Sequence, residues 1–257
     1  MEYSAFTHQG LVRPGNEDSY CMARLDGTPG AVLAAVADGM GGHEGGEVAS
    51  SIAVSVTESV VSSSWNSINP HPSKDEYYLA LVFSGAVAAN RRVHEESLKR
   101  FGRACMGTTL TVAIVKGDML YVAHAGDSRA YVANGTEIRQ ITDDHSLVGE
   151  MVRGGDLTER EAMIHPSRNI LTNALGTSEE PRVDLYKAKL STGDTVILCT
   201  DGLTNLVSKE EIQRAVNTTA SLDDLVRALV ELANSRGGYD NTTVVAIRST
   251  QGGELSA

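Results

Sequence analysis

Short runs of apolar and β-branched residues recur along the chain and predict β-strands. Valine, isoleucine, leucine and threonine dominate these runs, and such residues favour a pleated, half-buried surface. Lys116-Gly117-Asp118 and Asn134-Gly135 separate successive runs by so few residues that they predict hairpin turns and antiparallel neighbours. The predicted strands cover residues 31–37, 108–115, 119–124, 129–133, 182–190, 195–199 and 243–248.

Three other stretches carry apolar residues at helical spacing. Valine and isoleucine occupy every fourth position over residues 48–60, which places them on one face of a helix. Similar apolar faces extend over residues 79–87 and 222–232, and Ser221 is predicted as the N-cap of the last helix. Strands and helices are grouped along the chain, which predicts an α+β fold with strands at the centre and helices outside.

The connections complete this outline. Residues 64–76 have turn composition and are predicted to join the first two helices. Residues 146–170 interrupt the strand pattern with short helical pieces, and they are predicted to leave the core. We expect a single domain over residues 1–250, with residues 251–257 as a frayed C-terminal tail.

Composition narrows the possible functions. The chain has 257 residues, 41% of them hydrophobic, which is enough for a full core. A net charge of −11 argues against nucleic acid or an anionic membrane as partner. No apolar stretch has the length of a membrane span and the N-terminus lacks a signal-peptide pattern, so a cytoplasmic protein is expected. Three scattered cysteines form neither a disulfide framework nor a zinc motif.

Aspartates beside glycine or asparagine lie next to several of the apolar runs. The strands over 31–37 and 195–199 would bring Asp38 and Asp201 to the edge of a sheet. Carboxylates gathered there repel one another by about 4 kcal/mol per close pair at an effective dielectric constant near 20. The cluster therefore requires a strong cation, and the sequence predicts a site for hard divalent metal ions. The acidic segments are Asn16-Glu17-Asp18, Ala37-Asp38-Gly39, Gly126-Asp127-Ser128-Arg129, Thr200-Asp201-Gly202 and Tyr239-Asp240-Asn241.

Taken together, these segments resemble the metal-dependent Ser/Thr protein phosphatases, the PPM or type-2C family, and their form is similar to the bacterial branch. The resemblance extends over residues 5–248. It implies a central β-sandwich of two mostly antiparallel sheets flanked by helices, in four α-β-β-α layers, with a flap near the active site at about 146–170. The matching segments are Arg13 with residues 16–18, residues 36–43 with 46–47, and residues 107–110, 125–129, 200–203 and 240–243.

The family implies a binuclear Mn²⁺ or Mg²⁺ centre at which an activated water hydrolyses phosphoserine or phosphothreonine in proteins. By this resemblance Asp38 would bridge both ions. Asp18 and the carbonyl of Gly39 would ligate one ion, while Asp201 and Asp240 would complete the other. Ligands that are all oxygen favour Mn²⁺ or Mg²⁺ over Zn²⁺.

Other matching residues would surround these ligands. Glu17 and Asn241 are expected to support them, Glu17 by holding a coordinated water. Asp127 together with Asp201 is similar to the weaker third metal site of bacterial relatives. Arg13 is predicted to bind the substrate phosphate, because a guanidinium fork can engage two of its oxygens.

The general acid stays unassigned. Met40 stands where animal relatives have histidine, His43 is close in sequence, and a metal-bound water is a further alternative. His145 is interpreted as a supporting or capping group, Arg129 as an ion-pair partner of Asp127, and Thr108-Thr109 as the start of a strand. The other histidines are interpreted as structural, namely His8, His71, His94, His124 and His165.

Two further functions stay open. The first is a metal-bound signalling scaffold without turnover, against which the complete set of aspartates argues. The second is a hydrolase for a small phosphorylated metabolite, whose site chemistry would be identical. For the phosphatase, the expected partners are phosphorylated proteins and a cognate Ser/Thr kinase, with no nucleic acid and no membrane, and the expected state is a monomer.

Overall fold

The computed structural model describes residues 1–25, 30–41, 45–65 and 73–249. His43, His71 and the predicted tail at 251–257 lie outside the described residues, as does most of the predicted connection at 64–76. The described strands are β1 (Glu2–His8), β2 (Asp18–Arg24), β3 (Ala31–Met40), β4 (Gly107–Thr108), β5 (Leu110–Lys116), β6 (Met119–Ala125), β7 (Arg129–Ala133), β8 (Ile138–Gln140), β9 (Asp184–Lys189), β10 (Thr195–Cys199) and β11 (Thr242–Arg248).

The strands form two sheets in which every described pairing is antiparallel. Sheet A has the order β1-β11-β10-β7-β8, and sheet B has the order β2-β3-β5-β6-β9 with β4 beside the end of β3. The described helices are α1 (Gly45–Ser64), α2 (Lys74–Phe101), α3 (Leu147–Gly154), α4 (Glu159–Ile164), α5 (Asp201–Thr204), α6 (Lys209–Thr218) and α7 (Leu222–Ser235).

Burial on both faces explains why the central strands are apolar at nearly every position. In β5, Val112 and Ile114 face a core shared with α1 and α2, whereas Ala113 and Val115 face the core between the sheets. A third core lies between sheet A and the helices α6 and α7. The predicted fold, a β-sandwich within four α-β-β-α layers, is therefore confirmed.

Several elements agree with the sequence pattern in detail. Gly117, with φ at 61°, forms the turn between β5 and β6, and Ser221 caps α7 by accepting a hydrogen bond from the backbone N–H of Asp224. The short helices predicted within 146–170 are α3 and α4. Among the described residues no helix has the length and apolar content needed to cross a membrane.

One expectation about β3 is wrong. Asp38 was expected to follow the strand at residues 31–37, but β3 continues to Met40. The strand continues because it gains a third partner, β4, with Gly39 opposite Thr108 and Met40 opposite Gly107. Asp38 is therefore held inside a paired strand instead of on a loop, which restricts the directions in which its carboxylate can point.

The connections place all the predicted acidic residues at one end of the sandwich. Here β2 begins, β3 and β4 pair, β6 and β10 end, and β11 begins. We call this end the acidic edge and define it by Asp18, Asp38, Asp127, Asp201 and Asp240.

Candidate metal centre

Asp18 joins the two sheets at the acidic edge. As the first residue of β2 it lies directly opposite Asp38 of β3. Its Oδ2 accepts hydrogen bonds from the hydroxyls of Thr200 at 2.8 Å and Thr243 at 2.7 Å, both of which belong to the sheet A side. The side chain is buried. Two hydroxyl donors therefore fix one oxygen of Asp18 and leave the other free to bind a cation.

Backbone contacts fix Asp38. Its N–H donates to the Thr109 hydroxyl at 2.8 Å, and its carbonyl accepts from the Thr109 N–H and the Thr108 hydroxyl, each at 2.9 Å. The Thr108-Thr109 pair was predicted only as the start of a strand, yet it orients Asp38. The sequence contained an indication of this orienting role, because both residues carry hydroxyls and lie inside one of the matching segments.

Gly39 is enclosed by backbone. A Cβ at this position would lie 2.0 Å from the carbonyl oxygen of Gly46 and 2.8 Å from that of Glu17. The Gly39 N–H also donates to the Glu17 carbonyl at 3.2 Å. No other residue type fits here without a shift of α1, so the close approach of β3 to α1 depends on glycine.

Asp201 and Asp240 reach the acidic edge from sheet A. Asp201 begins α5, and its Oδ2 accepts a hydrogen bond from Asn205 at 3.0 Å. Asp240 precedes β11 and accepts from the N–H of Asn241 at 2.9 Å. A Cβ on Gly202 would lie 1.9 Å from the Asn241 carbonyl oxygen, so these two segments are in direct contact.

Asn241 connects the segment around Glu17 to the segments of Asp201 and Asp240 through hydrogen bonds. Its Oδ1 accepts from the N–H of Glu17 at 2.7 Å, and its Nδ2 donates to the carbonyls of Gln9 and Gly15, each at 2.8 Å. The side chain is buried and uses its acceptor and both donor hydrogens. Asn241 therefore lies behind the acidic edge, and its role as a support of the metal ligands stays a prediction.

The carboxylates act strongly on one another. Burial, together with the charges of Asp201 and Asp240, raises the pKa of Asp18 to about 7. Burial and then Asp18 raise the pKa of Asp38 well above its usual range. Burial and Asp240 also raise the pKa of Asp201. Both effects penalise negative charge, so the acidic edge is poised to take up either protons or cations.

The fit to metal ions depends on oxygens that the protein leaves unpaired. Asp18 Oδ1 and Asp201 Oδ1 are buried and have no hydrogen-bond partner within the described part of the chain. Over the same residues, no group of three or more histidine, cysteine or acidic side chains is arranged so that it could hold a metal ion. Unpaired buried carboxylate oxygens are costly without a partner, and hard divalent cations are partners that such oxygens suit.

Asp127 lies in the turn between β6 and β7 and is buried beside Asp201. Burial and then the charge of Asp201 raise its pKa well above the usual range. The expected ion pair between Asp127 and Arg129 is wrong. Arg129 forms a bidentate pair with Asp144 at 2.7–3.0 Å, and this long-range partner was not evident from the sequence spacing.

Arg13 lies at the rim of the acidic edge. Its Nη2 contacts Asp240 Oδ2 at 2.7 Å, and about half of the side chain is exposed. The hydrogen bond to Asp240 raises the pKa of the guanidinium. Glu17 is half-buried, and burial raises the pKa of its carboxyl. Arg13 thus keeps donors directed to solvent next to the carboxylates.

A groove of about 790 Å³ leads away from Asp127 and Asp201. The helices α3 and α4 form one wall, and α5 and α6 form the other. An ion pair between Glu159 of α4 and Lys209 of α6, at 2.6 Å, connects the two walls. The space can hold a chain segment several residues long beside the carboxylates.

Comparison with known proteins identifies the class to which this fold and acidic edge belong. The family model described as "Protein phosphatase 2C" matches residues 14–246. The chain therefore belongs to the protein phosphatase 2C family, and the bacterial relatives described next confirm its resemblance to the bacterial branch.

Individual relatives extend this result. The chain is 36% identical over 242 residues to "Serine/threonine phosphatase stp" of Listeria monocytogenes serotype 4b, covering 94% of this chain and 93% of the relative. It matches the crystal structure of the serine/threonine phosphatase Stp1 from Staphylococcus aureus with a TM-score of 0.87 and 33% identity, covering 97% and 95% of the two chains. The catalytic domain of the phosphatase PstP, solved with two manganese ions, matches with a TM-score of 0.80 and 33% identity, covering 97% and 98%.

Proposed function

We propose that this chain hydrolyses phosphoserine and phosphothreonine in proteins, using two Mn²⁺ or Mg²⁺ ions bound at the acidic edge. The observation that carries the proposal is a cluster of buried and half-buried aspartates with raised pKa values and two unpaired carboxylate oxygens. Membership of the protein phosphatase 2C family, the names of the bacterial relatives and the manganese in one solved neighbour support it.

We assign the ligands as follows. Asp38 would help to hold both ions, Asp18 and the Gly39 carbonyl would hold one, and Asp201 and Asp240 would hold the other. When bound, the ions neutralise charge on the phosphoryl oxygens and lower the pKa of a water so that it can attack phosphorus. The protein prepares the site by fixing these carboxylates through the strands and hydrogen bonds described above.

Three residues complete the assignment. Asp127 with Asp201 holds a weaker third ion, and Arg13 binds the phosphate of the substrate. Arg13 suits this role because its pair with Asp240 engages one end of the guanidinium and leaves other N–H donors exposed. No side chain is assigned as general acid.

The groove beside Asp127 and Asp201 favours a protein substrate over a small metabolite. Its volume of about 790 Å³ exceeds what a phosphoryl group requires, and it is bounded by the predicted flap at 146–170. Residues flanking a phosphoserine would lie between α3–α4 and α6. The physiological counterpart is a Ser/Thr kinase that phosphorylates the same proteins.

The test is release of phosphate from a phosphothreonine peptide and from a small phosphorylated sugar, each with Mn²⁺ and with a chelator. The proposal predicts turnover of the peptide with Mn²⁺, loss of turnover on chelation, and a much lower kcat/KM for the sugar. Turnover that survives chelation would contradict the metal assignment, and preference for the sugar would establish the metabolite hydrolase instead. If Mn²⁺ binds and neither substrate is turned over, the metal-bound signalling scaffold without turnover would be the function that remains.

A further inference from the structure

His145 lies outside the acidic edge, yet its polar groups are engaged on every side. The residue is fully buried. Its Nδ1 accepts from the backbone N–H of Gly126 at 3.2 Å and from Nδ2 of Asn173 at 2.8 Å, and its Nε2 lies 3.0 Å from Asp184 Oδ2. Since Nδ1 accepts from two N–H donors, the ring proton is on Nε2 and donates to Asp184.

The backbone of His145 makes two further contacts. Its N–H donates to the carbonyl of Gly126 at 2.7 Å, and its carbonyl accepts from the N–H of Thr172 at 2.8 Å. Both the amide and the carbonyl of Gly126 are therefore bound to the same histidine. The Thr172 contact also ties His145 to the far end of the predicted flap, whose two ends pair at Ser146 and Leu171.

Gly126 has little freedom to adopt another position. Its φ is 115°, which an L side chain rarely adopts, and a Cβ would lie 2.5 Å from Cγ2 of Thr109. Thr109 is the residue whose hydroxyl binds the Asp38 N–H. Gly126 is thus held between His145 on one side and the residue that orients Asp38 on the other, and Asp127 follows directly in the chain.

We propose that His145 is a positioning residue that fixes the Gly126–Asp127 turn against the acidic edge and thereby sets the affinity of the weaker metal site at Asp127. The inference rests on the proposed function, because it uses the assignment of Asp127 as a metal ligand. Two hydrogen bonds hold the turn. In the first the Gly126 N–H donates to Nδ1 of His145, and in the second the His145 N–H donates to the Gly126 carbonyl. Of these, only the first depends on the imidazole.

Two substitutions of similar size separate the contacts of the ring. His145→Asn places an amide oxygen where Nδ1 stands, so it can still accept from Gly126 but loses Asp184. His145→Gln places its amide where Nε2 stands, so it can still reach Asp184 but leaves the Gly126 N–H unpaired. A role in packing alone predicts equal effects of the two variants, whereas positioning through Gly126 predicts that only the glutamine variant is impaired.

The measurement is Mn²⁺ bound per chain by equilibrium dialysis over a wide range of free Mn²⁺. In wild type and in His145→Asn we expect tight sites and one weaker site. In His145→Gln we expect the weaker site to lose about tenfold or more in affinity, the usual effect of removing a group that orients a ligand, with the tight sites retained. In an Asp127→Asn background, His145→Gln should cause no further loss.

Controls keep the outcomes distinct. Val230→Ala, at a buried position of α7 in the core against sheet A, should lower the melting temperature without changing Mn²⁺ binding. If either histidine variant fails to fold, slow hydrogen exchange of the Gly126 amide in wild type still tests the contact, and fast exchange there would overturn the proposal. Equal losses in the two histidine variants, or unchanged binding in His145→Gln, would also overturn it. Wild type that binds no Mn²⁺ would instead refute the proposed function itself.

Discussion

Replacing Asp18 with asparagine should stabilise the metal-free protein. An asparagine carbonyl can accept the same two hydrogen bonds from Thr200 and Thr243 that Asp18 Oδ2 accepts now. Its amide would then occupy the position of the unpaired Oδ1, where it offers donors to the remaining carboxylates. The substitution therefore removes a buried charge while keeping the shape and the hydrogen bonds of the site.

The size of the effect follows from the pKa of Asp18, which rises from an ordinary value of 3.8 to about 7. Each unit of pKa corresponds to about 1.4 kcal/mol, so ionising this carboxyl in the folded protein costs on the order of 4 kcal/mol more than in the unfolded chain. Because the pKa of Asp18 is higher in the folded protein than in the unfolded chain, the free energy of unfolding is highest below about pH 4. It falls as the pH rises toward 7 and Asp18 loses its proton. Asp18 therefore lowers the free energy of unfolding by roughly 2 kcal/mol at pH 5 and by about 4 kcal/mol at pH 8.

The assay is urea unfolding of wild type and Asp18→Asn at pH 5 and pH 8 in the presence of a chelator. Removing the Asp18 charge also lowers the pKa of Asp38, which acts in the same direction. We expect the variant to be more stable at both pH values and its advantage to grow by about 2 kcal/mol between them. Added Mn²⁺ should reverse the order, because it stabilises wild type more than the variant.

The result that would refute this reasoning is an advantage that does not grow with pH, or a variant less stable than wild type at pH 8. Either outcome would mean that Asp18 is not a strained, charged group in the metal-free protein. The pH dependence would then have to come from other groups, and the charge of Asp18 would give the acidic edge no energetic need for cations.

Three other changes have defined outcomes. Asp38→Asn should abolish Mn²⁺-dependent phosphatase activity, whereas Asp118→Asn, in the turn after β5 at the opposite end of the sandwich, should keep it. Gly202→Ala should lower the free energy of unfolding by about 3 kcal/mol or more, because its Cβ would lie 1.9 Å from a carbonyl oxygen, while Gly135→Ala, with open space around it, should change it by less than about 0.5 kcal/mol. Arg13→Ala should raise KM for a phosphopeptide at least tenfold with a smaller change in kcat, and unchanged kinetics would remove Arg13 from the site.

The layered fold could be predicted because the central strands are buried on both faces. Continuous apolar runs such as those of β5 and β10 can be recognised from the local sequence alone. By contrast, β1 and β2 carry few aliphatic residues and were not predicted. They are strands because β11 and β3 supply partners for their backbone groups, which is a tertiary effect that the local pattern does not contain.

The same distinction holds for the site. The aspartates could be identified because they lie in short, recognisable segments, and the fold brings those segments to one edge. Glu17 and Asn241 were expected as supports from the same segments, whereas other contacts around the site could not be identified because they come from distant parts of the chain. Arg129 pairs with Asp144, Arg13 pairs with Asp240 across 227 positions, and His145 binds Gly126. Such pairs depend on which strands become neighbours, and a single sequence does not encode that information in its spacing.

The central claim is that the acidic edge binds paired divalent cations, and anomalous X-ray scattering from crystals soaked in Mn²⁺ tests it most directly. We expect two strong manganese peaks, both in contact with Asp38, one also contacting Asp18 and the other Asp201 and Asp240. A weaker peak is expected beside Asp127. Crystals that show no manganese at Asp38 and Asp201 at saturating Mn²⁺ would contradict the account.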